Sequence, residues 1–252
     1  MQPLRNKIAL VTGGASGLGL ACVKRFAHEG AKAIIGDIAP PPAGLDAEYV
    51  RLDVTSEESW HAALAEIVDR HGRIDVLLNG AGVALDGDDV FGCTQETWRR
   101  TIAVNLDGTF LGCKLVSEIM AANGGGSIIN IASINGVVGD GGIVAEGVAA
   151  YSASKGAVRL LTRSAALDLA ARATNVRCNA ILPGYFATPM VLDYLAAHPH
   201  PGQARSRIET AHPLGRMGLP HELTGMVMYL ASSRSAAVTG AEFVVDGGYT
   251  AR

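Results

Sequence analysis

Tyr151 and Lys155 stand four residues apart in Tyr151-Ser-Ala-Ser-Lys155, at the start of a stretch that reads as a helix to Ala171. Residues at that spacing share one helix face, so a phenol and an ammonium can point into one cleft. A free tyrosine, with a pKa of about 10, is a poor base near neutrality. A neighbouring cation favours the phenolate and makes the group usable for proton transfer. Taken alone, such a pair is common on helix surfaces. Its meaning depends on what the rest of the chain brings beside it.

The second constellation is Thr12-Gly-Gly-Ala-Ser-Gly-Leu-Gly19, between an apolar run and a helical pattern. A glycine-rich turn between strand and helix lets the backbone approach a pyrophosphate, and the helix N-terminus supplies free N–H groups. Asp37 ends the next apolar run, 18 residues after Gly19. A carboxylate there accepts from adenosine ribose hydroxyls and repels a 2′-phosphate. Neither Ile38 nor Ala39 is basic, and the turn itself holds no Arg or Lys. The expected cofactor is therefore NAD(H). Its oxidised nicotinamide would also favour a Tyr151 phenolate.

These residues need a scaffold, and the hydrophobic pattern describes one. Ile8–Thr12, Ala33–Asp37, Tyr49–Asp53, Ile74–Asn79, Ser127–Ala132, Val176–Leu182 and Glu242–Asp246 read as strands. Several are apolar throughout, as strands covered on both faces are. Leu18–Glu29 reads as a helix ended by Gly30. Trp60, Ala63, Leu64, Ile67 and Val68 mark another, ended by Gly72, and Thr55-Ser-Glu-Glu58 has the pattern of its capping box. The βαβ alternation predicts an α/β fold, a doubly wound parallel sheet of Rossmann type, in a single domain over 1–252. Pro183 to Pro220, rich in Pro, His and Gly, is expected to be irregular, with a substrate loop over about 184–220.

Composition narrows the class. The chain has 252 residues, 48% hydrophobic, enough for a sizeable core. Its 21 Lys+Arg against 24 Asp+Glu leave a net charge of −3, which argues against a nucleic-acid face or a polybasic membrane segment. No apolar run is long enough to span a membrane, and Met1–Lys7 lacks a signal pattern, so a cytoplasmic protein is expected. Cys22, Cys93, Cys113 and Cys178 form no CxxC and read as buried thiols, neither a disulfide framework nor a zinc site. His198-Pro-His200 lacks a third ligand, so no metal is expected. Trp60 and Trp98 read as packing residues and Arg99-Arg100 as a solvated helix face.

Taken in order, the motifs resemble those of the short-chain dehydrogenase/reductase family over nearly the whole chain. The resemblance lies in Thr12–Gly19, Asp53-Val54, Asn79-Gly-Ala-Gly82, Asn105, Ser133, Tyr151-x-x-x-Lys155 and Pro183-Gly184 with Thr188. It implies a catalytic set of Ser133, Tyr151, Lys155 and Asn105. Ser133 would hydrogen-bond the substrate oxygen, and Tyr151 would exchange the proton. Lys155 would tune Tyr151 and hold the nicotinamide ribose, and Asn105 would hold a water that relays protons. Cofactor contacts are expected from Gly13, Ser16, Gly17, Leu18, Gly19, Asp37, Ile38, Asp53, Val54, Asn79, Ala81, Gly82, Tyr151, Lys155, Pro183, Gly184, Phe186 and Thr188. The resemblance also implies a homo-oligomer, a tetramer, in which Asp246-Gly-Gly248 shapes a subunit contact.

Two departures stand out. Gly80 replaces an Asn whose side chain would help fix the central sheet, and Ser133 and Tyr151 lie 18 positions apart, farther than is usual in that family. The extra residues fall in Asp140–Gly147, beside the expected substrate pocket. Val137, Val138, Ile143, Val144, Tyr185, Met190, Val191 and Tyr194 are candidates for its walls. Most are apolar, and no Arg or Lys cluster waits for an anionic substrate. The expected reaction interconverts an uncharged secondary alcohol, cyclic or aryl-substituted, with its ketone. A sugar, a steroid or an acyl thioester stays open as substrate. The rival reading is a dinucleotide-binding sensor or scaffold without turnover.

Overall fold

In the computed structural model, which describes residues 2–139 and 147–251, the apolar runs are strands of one sheet. They are β1 (Ile8–Thr12), β2 (Lys32–Asp37), β3 (Glu48–Arg51), β4 (Val76–Asn79), β5 (Gly126–Ile131), β6 (Val176–Pro183) and β7 (Glu242–Val245). All pairings are parallel, in the order β3-β2-β1-β4-β5-β6-β7. The order reverses between β1 and β4. In open parallel sheets the crevice at such a reversal, beyond the carboxyl ends of the strands, is where ligands bind.

The period of two along each strand divides its side chains between two cores. Leu10, Ile34, Leu77 and Ile128 pack on one face with Trp60, Leu64, Val116 and Met120. Val11, Ile35, Leu78 and Ile129 pack on the other with Val23, Phe26, Leu223 and Val227. The first face is covered by α2 (Glu57–His71), α4 (Gly108–Ala122) and α5 (Ala149–Ala171), the second by α1 (Gly17–His28) and α8 (Pro220–Ala231). Full burial of one such aliphatic side chain is worth about 1.5–3 kcal/mol, and the two-sided strands contribute it on both faces of the sheet. Trp60 is wholly buried and its indole N–H donates to the Val54 carbonyl at 3.1 Å.

Several expectations are corrected. The N-cap of α2 is Ser56, whose hydroxyl accepts from Ser59 N–H. Thr55 instead turns back to Asp53. Trp98 lies on α3 (Gln95–Ile102) and is 44% exposed, so it is not a core residue. Cys93 is only partly buried, unlike the other three free thiols. The segment from Pro183 to Pro220 is not irregular. It holds α6 (Pro189–Ala197) and α7 (Pro201–Ala211), each with proline in its first turn, where the missing N–H costs no hydrogen bond. Residues 140–146 of the extended segment, with Ile143 and Val144, lie outside the described residues.

At the Gly80 departure, the central sheet is tied by its neighbours. Asn79 donates to Asn130 Oδ1 at 2.8 Å across β4 and β5, and Asn130 donates to Thr162 on α5 at 2.9 Å. Gly80 and Ala81 N–H both donate to the Thr12 hydroxyl. A Cβ at Gly80 would stand 2.8 Å from the Thr12 carbonyl oxygen. Glycine at this position therefore lets β1 and the end of β4 close together.

Candidate active site

The crevice at the sheet reversal is a cavity of about 350 Å³. Its floor is the turn between β1 and α1. Gly13 there has φ of +65°, and a Cβ on it would stand 2.8 Å from Ala81 Cα. A Cβ on Gly19 would collide with the Gly13 carbonyl. The chain can run this close to its neighbours only without side chains, which leaves the backbone of the turn and the start of α1 open to a ligand.

At one end of the cavity, Asp37 closes β2. Its carboxylate accepts from Ala15 N–H at 3.0 Å and from Ala39 N–H at 3.1 Å. Those two bonds fix the group and leave acceptor capacity on both oxygens. Asp53 is oriented in the same manner by Thr55, whose N–H and hydroxyl both donate to Oδ1. The cross-strand register puts Arg51 beside Asp37, and Arg51 donates to the Ile38 carbonyl at 3.3 Å. Linear spacing does not place a cation there; the strand pairing does.

At the other end stand Ser133, Tyr151 and Lys155. Ser133 follows β5 in extended backbone, and its hydroxyl oxygen accepts from Asn135 N–H at 3.1 Å. That leaves its own proton to donate. Lys155 is buried, with Nζ donating to the Ile131 carbonyl at 2.8 Å, and burial lowers its pKa to about 8. Burial pushes the Tyr151 phenol up from its ordinary value, against a smaller downward pull from a hydrogen bond with Ser133. This reverses the lowering expected from a neighbouring Lys155. Loss of solvation outweighs a cation that is itself desolvated and stands 5.7 Å from the ring centre.

The structure brings nearly all the expected residues to this one cavity: Gly13, Ser16 to Gly19, Asp37, Ile38, Asp53, Val54, Ala81, Gly82, Ser133, Tyr151, Lys155, Pro183, Gly184, Phe186 and Thr188. Asn79 and Asn105 are exceptions, both buried behind the lining. Asn79 spends its amide inside the sheet. Asn105 sits in a π-helical turn, Ala103–Asp107, between α3 and α4. Its side chain accepts from Val83 N–H at 2.8 Å and donates to the Val83 carbonyl and to Ser154. It thus fastens the end of the β4 segment to the helix that carries Lys155. Of the candidate substrate-wall residues, Met190 and Val191 line the cavity. Tyr185, Tyr194, Val137 and Val138 do not. Tyr194 packs with Leu195, Ala204, Ile208 and Met217 inside the α6–α7 unit, and Val138 packs against Ile134, Ala211 and Tyr249. Arg99 and Arg100 are both exposed, as a solvated helix face requires, and Arg100 also lines the cavity, one turn before Val104.

No helix among the described residues is long and apolar enough to cross a membrane, and no group of three or more His, Cys, Asp or Glu among them could hold a metal ion.

Comparison with known proteins agrees with this geometry. The profile of a family described as Enoyl-(Acyl carrier protein) reductase matches residues 13–250. An NADP-dependent (R)-specific alcohol dehydrogenase of Lentilactobacillus kefiri is 41% identical, over 99% of this chain and 98% of its own. A cyclopentanol dehydrogenase of Comamonas sp. (strain NCIMB 9872) is 40% identical over the full length of both. The ligand-free structure of an aldohexose dehydrogenase of Thermoplasma acidophilum superposes with a TM-score of 0.90 at 33% identity, covering 99% of this chain and 96% of the other. By sequence over its full length and by fold, the chain belongs to the short-chain dehydrogenase/reductase family.

Proposed function

We propose that the protein is an NAD(H)-dependent oxidoreductase that interconverts an uncharged secondary alcohol, cyclic or aryl-substituted, with its ketone. The observation that carries this reading is a single cavity with Asp37 at one end and Ser133, Tyr151 and Lys155 at the other. The relatives named for cyclopentanol and for (R)-specific alcohol oxidation support the substrate class. Met190 and Val191 give the cavity apolar walls beside the chemistry. We assign residues 1–252 to one catalytic unit, with 184–220 facing the substrate.

The residues present fit a nicotinamide dinucleotide. The side-chain-free turn and the start of α1 would take the pyrophosphate, Asp37 the adenosine ribose and Asp53-Val54 the adenine. Lys155 would take the nicotinamide ribose and Thr188 its amide. When bound, the nicotinamide supplies or accepts a hydride at the carbinol carbon. Ser133 donates a hydrogen bond from its hydroxyl to the substrate oxygen, keeping its own proton, and stabilises charge developing there. Tyr151, kept protonated by burial, delivers a proton from its Oη to that oxygen in ketone reduction and takes it back in alcohol oxidation. Lys155 holds its ammonium by the Ile131 carbonyl and favours the phenolate when Tyr151 has given up its proton. Asn105 keeps the Val83 segment and α5 in register and so holds this arrangement.

Asp37 supports NAD(H) over NADP(H), since its carboxylate occupies the position a 2′-phosphate would approach. Arg51, beside Ile38, is the feature that would serve NADP(H), and one relative is named as NADP-dependent. We further propose a homotetramer. Leu160 and Leu167, seven residues apart on α5, are 65% and 72% exposed, and the edge strand β7 presents Val244. A panel of cyclic, aryl and linear ketones and alcohols, followed by nicotinamide absorbance with each cofactor, tests the reading. Turnover of cyclic ketones with NADH is expected. Absence of turnover on every uncharged member of the panel would overturn it.

A further inference from the structure

The helix that carries Tyr151 and Lys155 has no cap of its own. α2 and α3 start on hydroxyls, Ser56 and Thr94, that accept from their own first turns. α5 is the longest helix, 23 residues, yet the residue before it is Val148, which offers no acceptor side chain. The first N–H groups of a helix have no partner within it and need one.

The acceptors for the Ala149, Ala150 and Tyr151 N–H groups all come from one residue far away in sequence. The Asp88 main-chain carbonyl accepts from Ala149 N–H at 2.6 Å. Its carboxylate accepts from Ala150 N–H at 2.7 Å through Oδ1 and from Tyr151 N–H at 2.8 Å through Oδ2. Asp88 is 2% exposed. A carboxylate this deeply buried needs partners, and the partners it has include the backbone of Tyr151 itself.

The loop that presents Asp88 is held in turn. Asp89 Oδ1 accepts from Phe91 and Gly92 N–H, and Cys93 N–H closes on the Asp89 carbonyl. At the base of the loop, Asn105 fixes Val83. Gly147 packs so closely on this loop that a Cβ there would stand 2.9 Å from Asp89 Cα. The chain enters α5 by pressing against the Asp88 loop.

We propose that Asp88 is the positioning residue of Tyr151: it anchors the first turn of α5 to the loop after β4 and so sets where the phenol stands relative to Ser133. This rests on Tyr151 being the proton carrier. The backbone N–H of Tyr151 is the atom held, so release of Asp88 moves the phenol before it moves anything at the Asp37 end. Displacement of a reacting group by about 1 Å costs on the order of a hundredfold in rate.

The test uses the intact enzyme with Asp88→Ala, Asp88→Asn and, alongside, Tyr151→Phe. The kcat for cyclic ketone reduction and the Kd for NADH are measured at a temperature where circular dichroism shows each variant folded. Asp88→Ala should lower kcat by roughly tenfold or more, with NADH Kd within about twofold. Asp88→Asn keeps one carbonyl acceptor and should fall between it and the wild type. A cap that serves stability alone would lower the unfolding midpoint and leave kcat in place; that result overturns the inference. So does a loss of NADH affinity in step with kcat, which would mean a collapse of the whole cavity. If Asp88→Ala does not fold, Asp88→Asn decides, and wild-type kcat in it is contrary. If Tyr151→Phe keeps its turnover, the reading of Tyr151 fails and this inference with it. If Tyr151→Phe is inactive while both Asp88 variants turn over normally, only the inference about Asp88 fails.

Discussion

Lys155 Nζ stands 5.7 Å from the centre of the Tyr151 ring, with one proton committed to the Ile131 carbonyl at 2.8 Å. The two groups are one helical turn apart on α5, and both line the cavity, Lys155 buried and Tyr151 half-buried. Burial acts on them in opposite senses, since it disfavours whichever form is charged. It pushes the phenol up and the ammonium down, to about 8. The protein without ligand therefore stores a protonated Tyr151 beside a lysine that titrates close to neutrality.

The cost of that lysine should be measurable in stability. Between its folded value of about 8 and its ordinary value of 10.5, Lys155 holds fewer protons in the native state than in the unfolded state. Its burial is then destabilising in full below about pH 8, and the cost fades as pH rises toward 10.5. The ceiling is on the order of 3 kcal/mol. Lys155→Met removes the cost and leaves the Ile131 carbonyl short of one donor, a penalty independent of pH. Urea unfolding of both proteins at neutral pH and near pH 10 checks this. The variant should gain on the wild type at neutral pH, and the gap should shift toward the wild type in alkali. Cys22, whose thiol burial pushes up to about 12, is common to both and cancels. A gap that does not change with pH contradicts the assignment.

Asp37 should decide the cofactor. Wild-type kcat/KM is expected to favour NAD(H) over NADP(H). Asp37→Ala removes the carboxylate while leaving Arg51 at the Ile38 carbonyl. The ratio should then move toward NADP(H) by roughly tenfold or more, about 1.4 kcal/mol. Steady-state kinetics with both cofactors measures it, and an unchanged ratio would show that Asp37 does not read the ribose.

Met190 and Tyr194 are four residues apart on α6 and should behave differently. Met190 faces the cavity, whereas Tyr194 packs inside the α6–α7 unit. Met190→Ala should change kcat/KM unequally between bulky and small ketones by several-fold, with NADH affinity held. Tyr194→Ala should lower the unfolding midpoint and reduce all substrates by a common factor. If the two variants gave the same selectivity pattern, the division of α6 into a cavity face and a packing face would be wrong.

Much of this was legible in the chain because the relevant signals are local. Strands buried on both faces leave continuous apolar runs, as in β4 and β5, and the glycine turn sits between a strand and a helix it must join. Tyr151 and Lys155 need only helical spacing to meet. Other features depend on information the linear order does not carry. Pro189, Pro201 and Pro220 read as loop residues, yet each starts a helix, because proline is as much a helix opener as a breaker. Thr55 and Ser56 are both able to cap, and only the backbone path settles on Ser56. Arg51 reaches Ile38 through the pairing of β2 with β3. Asp88 reaches Tyr151 across 63 positions, with no periodicity to announce it.

The proposed ketone reduction requires Tyr151 as its proton carrier. The most direct measurement is single-turnover oxidation of bound NADH by a cyclic ketone in the wild type and in Tyr151→Phe, with NADH affinity measured on the same samples. The variant should bind NADH within about twofold of the wild type and lose on the order of a hundredfold or more in the rate of NADH oxidation. Near-wild-type NADH oxidation by a folded Tyr151→Phe enzyme would contradict that role.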